Sequence, residues 1–366
     1  THQTRLHGVT DCTNDELPSQ WSTSSSVVKK IRILALMHDY MVPPADVSSV
    51  DLATVEWKTE FDVTSTLTDM GHDVRTLGVK DDLGAIRQAV DEFRPHIAFN
   101  LMEAFHEVGA FDMNVVSYLE LLRLPYTGCN PRGMVLSRDK ALSKQLMAYH
   151  RIPVPEFSVF RRGLAIRPPR HLKFPVIVKS LTQEASIGIA QASVVEEEAK
   201  LRDRVKFVHE SIGTDAIVER YIDGRELYVG VIGNERLQVF PVWEMEFGKM
   251  PDGVHRIATD RVKWSVKYQR KHGINTSEAN LPEITSEAIK RVAKRVYRTL
   301  NMNGYARMDL RMDTDGKFFV LEANANPQLA FGEDFAESAE RAGLRYNELL
   351  QRIINVGLRW RPDQAG

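Results

Sequence analysis

The chain has 366 residues, 43% of them hydrophobic, with 48 lysines and arginines against 49 aspartates and glutamates and a net charge of −1. Basic residues spread along the chain leave no footprint for nucleic acid or a membrane surface, so small-molecule substrates are the expected partners. The two cysteines, Cys12 and Cys129, lack metal-ligand or redox spacing, which fits a reducing cytoplasm, and the length suits two or three lobes sharing one function.

Residues 1–29 are polar, close near the run Trp21-Ser-Thr-Ser-Ser-Ser26 and lack a basic-then-apolar signal pattern; they read as a flexible tail. No apolar run reaches membrane-spanning length. Ile31-Arg-Ile-Leu-Ala-Leu-Met37 predicts a buried first strand, followed by a helix near 60–70 that stops at Gly71. Further strands are expected at 74–79 and 96–101, with a helix over 83–93 between them. Strands alternating with helices imply a parallel α/β lobe over 30–130, ending near Pro125-Tyr-Thr-Gly128. A small central α+β lobe, 131–213, is expected to open with a helix N-capped by Ser137 and running to Tyr149, then a strand at 175–179. The last lobe, 214–360, opens with a strand at 216–219, turns at Gly224 and Gly233, and carries a helix over 286–300.

The most informative stretch is Ala306-Arg-Met-Asp-Leu-Arg-Met-Asp313, Thr314-Asp-Gly-Lys317, Phe318-Phe-Val-Leu-Glu-Ala-Asn324. Asp315-Gly316 is the dipeptide that a two-residue type I′ hairpin turn favours. With Thr314 paired to Lys317, Asp309 falls opposite Glu322 and Arg307 opposite Asn324, all on one face, while Met308, Leu310, Met312, Phe319, Leu321 and Ala323 form the apolar face. Alternation alone is most simply a half-buried hairpin with a solvated polar face. Carboxylates directly across from each other repel, however, unless a cation lies between them. A divalent metal supplies that cation, and Asn324 adds a neutral oxygen of the kind Mg²⁺ accepts.

Lys140 and Lys144 are like charges four apart on a helix, so each needs solvent or an anion; solvent suits Lys144. Lys179 closes an apolar strand ahead of Glu184-Ala-Ser-Ile-Gly188, whose small residues let backbone N–H groups approach a phosphate. Glu219 reads equally as a strand-end charge. The series of a helix lysine, a strand-end lysine, a small-residue loop, an acidic strand and an Asp/Glu/Asn hairpin is the order an ATP site between two lobes requires.

That order resembles the ATP-grasp superfamily and, within it, the D-alanine–D-alanine ligases and related carboxylate-amine ligases, over roughly residues 31–358. The specific matches are Leu124-Pro-Tyr-Thr-Gly128, Asp139-Lys140 with Lys144, Val176-Ile-Val-Lys179, Ile217-Val-Glu219 with Gly224-Arg-Glu226, Lys267-Tyr268, and Arg307-x-Asp309 with Glu322-Ala-Asn324-x-x-Pro327. The resemblance implies an ATP-grasp fold and the cofactors ATP and Mg²⁺, two ions, with Mn²⁺ as an alternative. It implies that Lys140 and Lys179 hold ATP phosphates, with Ser186 and Gly188 in the loop that closes over them. Glu219 would take the adenine amino group, the Ile222 backbone would reach the ring, and Glu226 would bind ribose. Lys267 would touch the γ-phosphate and Tyr268 would face the substrate. Asp309, Glu322 and Asn324 match the metal ligands, Arg307 the guanidinium that stabilises the oxyanion, and a homodimer through the first lobe follows from the same likeness.

Departures fall on the substrate side. The loop reads Gln183-Glu-Ala-Ser-Ile-Gly188 where the family has Glu-Gly-Ser-Ser-Val-Gly, and Gln328 and Glu333 stand where the family meets the acceptor's carboxylate with a glycine amide and a serine. Glu56, Glu60 and Asp62 are the candidates for anchoring the donor's ammonium group, Glu60 foremost. His106 and Asp112 lie in a broken match to a His-Gly…Glu-Asp segment. The expected activity is an ATP-dependent acid–amino acid ligase acting through an acyl-phosphate, with a D-alanine–D-alanine ligase as the first alternative and a non-catalytic ATP-binding module as the second. The acceptor is expected to present a neutral or cationic far end rather than a carboxylate.

Overall fold

The computed structural model describes residues 30–167, 172–183, 188–251 and 253–362. In the first lobe β1 (Arg32–His38), almost wholly buried, is the central strand of a three-stranded parallel sheet between β2 (Asp73–Val79) and β3 (Ile97–Asn100). Parallel strands need crossovers, and α1 (Lys58–Asp69) and α2 (Leu83–Phe93) supply them. Asp82 caps α2 by accepting from the Gly84 amide. Helix α3 (Asp112–Leu121) closes the lobe.

Two short helices follow where one was expected. Helix α4 (Pro131–Arg138) ends at Asp139, and α5 (Lys140–Tyr149) begins there. Asp139, rather than Ser137, is the cap: its carboxylate accepts from the amides of Ala141 and Leu142, both at 2.9 Å. Helix α4 belongs with its neighbours on either side more than with the small lobe. Its cap, Asn130, bonds to Asn303 and to the Asn301 carbonyl.

The small lobe is an antiparallel sheet ordered β4 (Phe157–Phe160), β7 (Ala216–Arg220), β5 (Val176–Ser180), β6 (Val194–Val195), with α6 (Glu198–Phe207) against it. Strand β7 therefore lies inside the central sheet, and the lobe boundary falls after it rather than at 213. The reason is register: Glu219 pairs with Ile177, and Ile217 with Lys179.

The last lobe is built on β8 (Arg225–Ile232), flanked by Gly224 and Gly233 in left-handed conformations that only glycine adopts cheaply. Around it lie β9 (Gln238–Val239), β10 (Trp243–Phe247), the lid helices α7 (Asp260–Trp264) and α8 (Val266–His272), β11 (Ile274–Glu278), and α9 (Glu283–Thr299). The hairpin β12 (Tyr305–Met312) and β13 (Phe318–Ala325) completes the sheet, ordered β11-β10-β8-β12-β13. Helices α10 (Asp334–Arg341) and α11 (Tyr346–Arg359) then return to the first lobe, where Ile353 and Ile354 share a core with Ile33 and Phe99. Among the described residues no helix is long and apolar enough to cross a membrane.

Candidate active site

The β12–β13 hairpin has the expected face by an unexpected route. Asp309 pairs with Glu322 and Arg307 with Asn324. The turn, however, is a three-residue loop: the Asp313 amide bonds to the Lys317 carbonyl at 2.9 Å, and Gly316 takes φ +79. A bulge between Asp309 and Leu310 then leaves Leu321 without a partner in the register. One extra residue in the turn and one in the bulge cancel, so the site pairing survives while the faces beyond it change. Val320, not Leu321, enters the core with Met308 and Leu310, and Phe319 lies 4.8 Å beneath the Arg220 guanidinium.

Leu321 instead lines a cleft of about 770 Å³ between the central and C-terminal sheets. Lys140, Lys179, Glu219, Ile222, Glu226, Asp309 and Glu322 share that cleft, with Ile177, Ile189 and Ile257 making an aliphatic end. Lys140 reaches the Gln183 carbonyl at 2.6 Å and Glu322 at 3.8 Å. Glu219 is fully buried and gives Oε1 to Lys144 at 3.2 Å and Oε2 to Lys179 at 3.1 Å. Lys144 is thus no solvent-facing charge; it has no exposed surface, and it also donates to the Leu321 carbonyl. The Tyr228 hydroxyl donates to Glu226 at 2.9 Å.

Electrostatics separate the two hairpin carboxylates. Burial alone would raise Glu322, but Lys140, Lys263, Lys179 and Lys144 outweigh it and hold the carboxyl at about 2. Asp309 is raised, because burial and the nearby Glu322 outweigh Arg307, which grips it at 2.8 and 2.9 Å. Arg307 also stacks 4.6 Å from the Tyr228 ring centroid. Two facing carboxylates and the Asn324 carboxamide, whose nitrogen is buried without a hydrogen-bond partner among the described residues, form the hard-oxygen set that suits Mg²⁺.

Not every expected residue joins this cleft. Lys263 on α7 lines it, whereas Lys267 on α8 is exposed. Tyr268 packs on the core around Trp243 and Val262, 4.4 Å from the His272 ring, rather than facing a substrate. The sequence repeats Val-Lys-aromatic at 262–264 and 266–268, and nothing in it separates the two copies. Ser186 lies outside the described residues. Gly188, at φ +73, is packed so that a Cβ would come within 2.2 Å of the Ile212 side chain.

A second crevice, about 320 Å³, opens at the carboxyl ends of β1 and β3, where open α/β sheets bind ligands. Glu60, Asn100, Glu103, Tyr305 and Gln328 line it. Burial first, and Glu103 in addition, raise the Glu60 carboxyl to about 7. The Asn100 amide nitrogen is buried without a partner among the described residues, its oxygen accepting from the Met102 amide at 3.2 Å. Glu103 and Asn100 carried no signal in the sequence, since nothing there brings 100–103 to Glu60. Asp62 is not in the crevice. With Lys58 it clamps the backbone of Phe331: Lys58 donates to its carbonyl at 2.6 Å, and its amide donates to Asp62 at 2.9 Å. Glu333 follows as the N-cap position of α10, and Arg341 pairs with Glu278. His106 is exposed, 3.8 Å from Asp81.

Comparison with known proteins bears on this geometry. The family model "D-ala D-ala ligase C-terminus" matches residues 146–355. An uncharacterized protein, y4sG, of Sinorhizobium fredii is 33% identical over 81% of this chain and 86% of its own length. The D-alanine–D-alanine ligase of Desulforudis audaxviator is 30% identical over 80% of this chain and 90% of its own. Among solved structures, D-alanine–D-alanine ligase from Bacillus anthracis complexed with ATP superposes with a TM-score of 0.69 at 21% identity, covering 90% of this chain and 98% of that one.

Proposed function

The chain belongs to the D-alanine–D-alanine ligase family of amide-forming ATP-grasp enzymes, and on that premise we propose that it joins a carboxylic acid to an amine through an acyl-phosphate. The observation that carries the reading is one cleft holding the hairpin carboxylates Asp309 and Glu322 across from Lys140 and Lys179. Ile177, Ile257 and Leu321 sandwich the base, with the Ile222 backbone and Glu219 at its edge, and Glu226 takes the ribose. Lys140 and Lys179 neutralise the phosphates, and Lys263 takes the γ-phosphate in place of Lys267. Mg²⁺ held by Asp309, Glu322 and Asn324 would draw charge from the transferring phosphoryl oxygens.

The donor sits in the second crevice with its ammonium on Glu60. Its carboxylate oxygen attacks the γ-phosphorus and ADP departs. The acceptor nitrogen then attacks the acyl carbon, Arg307 stabilises the oxyanion, and inorganic phosphate leaves as the amide forms. At the acceptor end Glu333 is raised by burial and Asp334, while Lys58 and Arg307 favour its charge. A carboxylate-bearing acceptor meets that acid, so the acceptor presents a neutral or cationic far end. A screen of amino acids, their amides and decarboxylated amines for ATP-dependent phosphate release tests both parts. Release that needs a carboxylic acid and an amine supports the ligase, and amides outperforming free acids as acceptors supports the Glu333 reading. Efficient synthesis of D-alanyl-D-alanine, unimproved by Glu333→Ser, favours the alternative of a D-alanine–D-alanine ligase and overturns the acceptor assignment.

A further inference from the structure

The hairpin bulge leaves Leu321 without a cross-strand partner, at the wall of the cleft. On one side is Glu219, fully buried, which holds Lys179; on the other is Glu322, the next residue along β13. A single side chain touches both. The Lys144 ammonium lies 3.2 Å from Glu219 Oε1 and donates to the Leu321 carbonyl, and it has no solvent-exposed surface. A backbone carbonyl outside the strand ladder needs a donor, and a buried carboxylate between two lysines needs both of them to stay ionised. One ammonium meets both needs only if the bulge and strand β7 keep their present spacing.

We propose that Lys144 is a positioning residue that ties the phosphate-side lysine Lys179 to the metal-side carboxylate Glu322, by fixing Glu219 and the Leu321 bulge together. The inference rests on the ATP-site reading above. Removing the amine frees the bulge, so Glu322 loses its fixed place opposite Asp309 even though neither hairpin carboxylate has changed.

The test measures ADP affinity calorimetrically with and without Mg²⁺ and takes the ratio, which reports the metal's contribution apart from turnover. In Lys144→Met that ratio should fall about tenfold or more, the loss usual for residues that orient metal ligands, with kcat falling more than KM for ATP rises. The Glu322→Gln change should then cost little further, because both act on the same ligand. Should Lys144→Met fail to fold, Lys144→Arg serves, since its longer planar head displaces the bulge and predicts the same fall in the ratio. A folded variant of either kind with the wild-type ratio overturns the assignment. Absence of a Mg²⁺-dependent gain in the wild-type protein overturns the ATP-site reading itself.

Discussion

The two crevices treat buried carboxylates in opposite ways. In the interlobe cleft Glu322 is surrounded by lysines and stays ionised down to about 2. In the first-lobe crevice Glu60 faces Glu103 and has risen to about 7, and the Asn100 amide nitrogen beside it has no hydrogen-bond partner among the described residues. The same functional group thus sits in opposite electrostatic surroundings: lysines crowd Glu322, whereas a second carboxyl, Glu103, lies near Glu60.

The sharpest way to break this contrast is to remove charge at the metal side. Asp309→Asn or Glu322→Gln should lower turnover by roughly 10²-fold or more while the thermal midpoint stays near that of the parent, and near-normal rates at ordinary Mg²⁺ would remove the metal assignment. A smaller effect is expected in the lid. Lys263→Ala should weaken ATP use about tenfold, whereas Lys267→Ala should be nearly silent; the reverse order in steady-state kinetics would restore the expectation drawn from the sequence.

The smallest effect concerns stability. Because Glu60 titrates at about 7 when folded, against about 4.5 when unfolded, the folded state holds the extra proton between these values. Stability from this group is full below about 4.5 and falls as pH rises through 7, by roughly 3 kcal/mol. Glu103 and Tyr40 face the same group and oppose its ionisation or share its field. Chemical denaturation across this range should show the slope, and Glu60→Gln should flatten it. An unchanged slope would mean that the Glu60 proton is not what the crevice holds.

Much of this was legible because the chemistry sits on regular elements. Period-two alternation in 306–324 puts Arg307, Asp309, Glu322 and Asn324 on one face, and the register confirms their pairing. Helix α2 spans the expected 83–93. Failures share one physical cause: they turn on how distant segments meet. Lys144 looked exposed because its helix is amphipathic only against β13 and β7, which are far along the chain. The bulge left no mark in 318–324, since Val320 and Leu321 are equally apolar and packing alone chose between them. Lys263 and Lys267 differ only in which short helix faces the cleft.

The clamp on the loop before α10 has an evolutionary consequence. Lys58 and Asp62 grip the carbonyl and amide of Phe331, which every residue but proline possesses, while the phenyl ring is 57% exposed and rests edge-on to Tyr346 at 5.5 Å. Anchorage and side-chain identity are therefore separable at this position. Residue 331 can change its size or polarity under selection while the loop stays fastened.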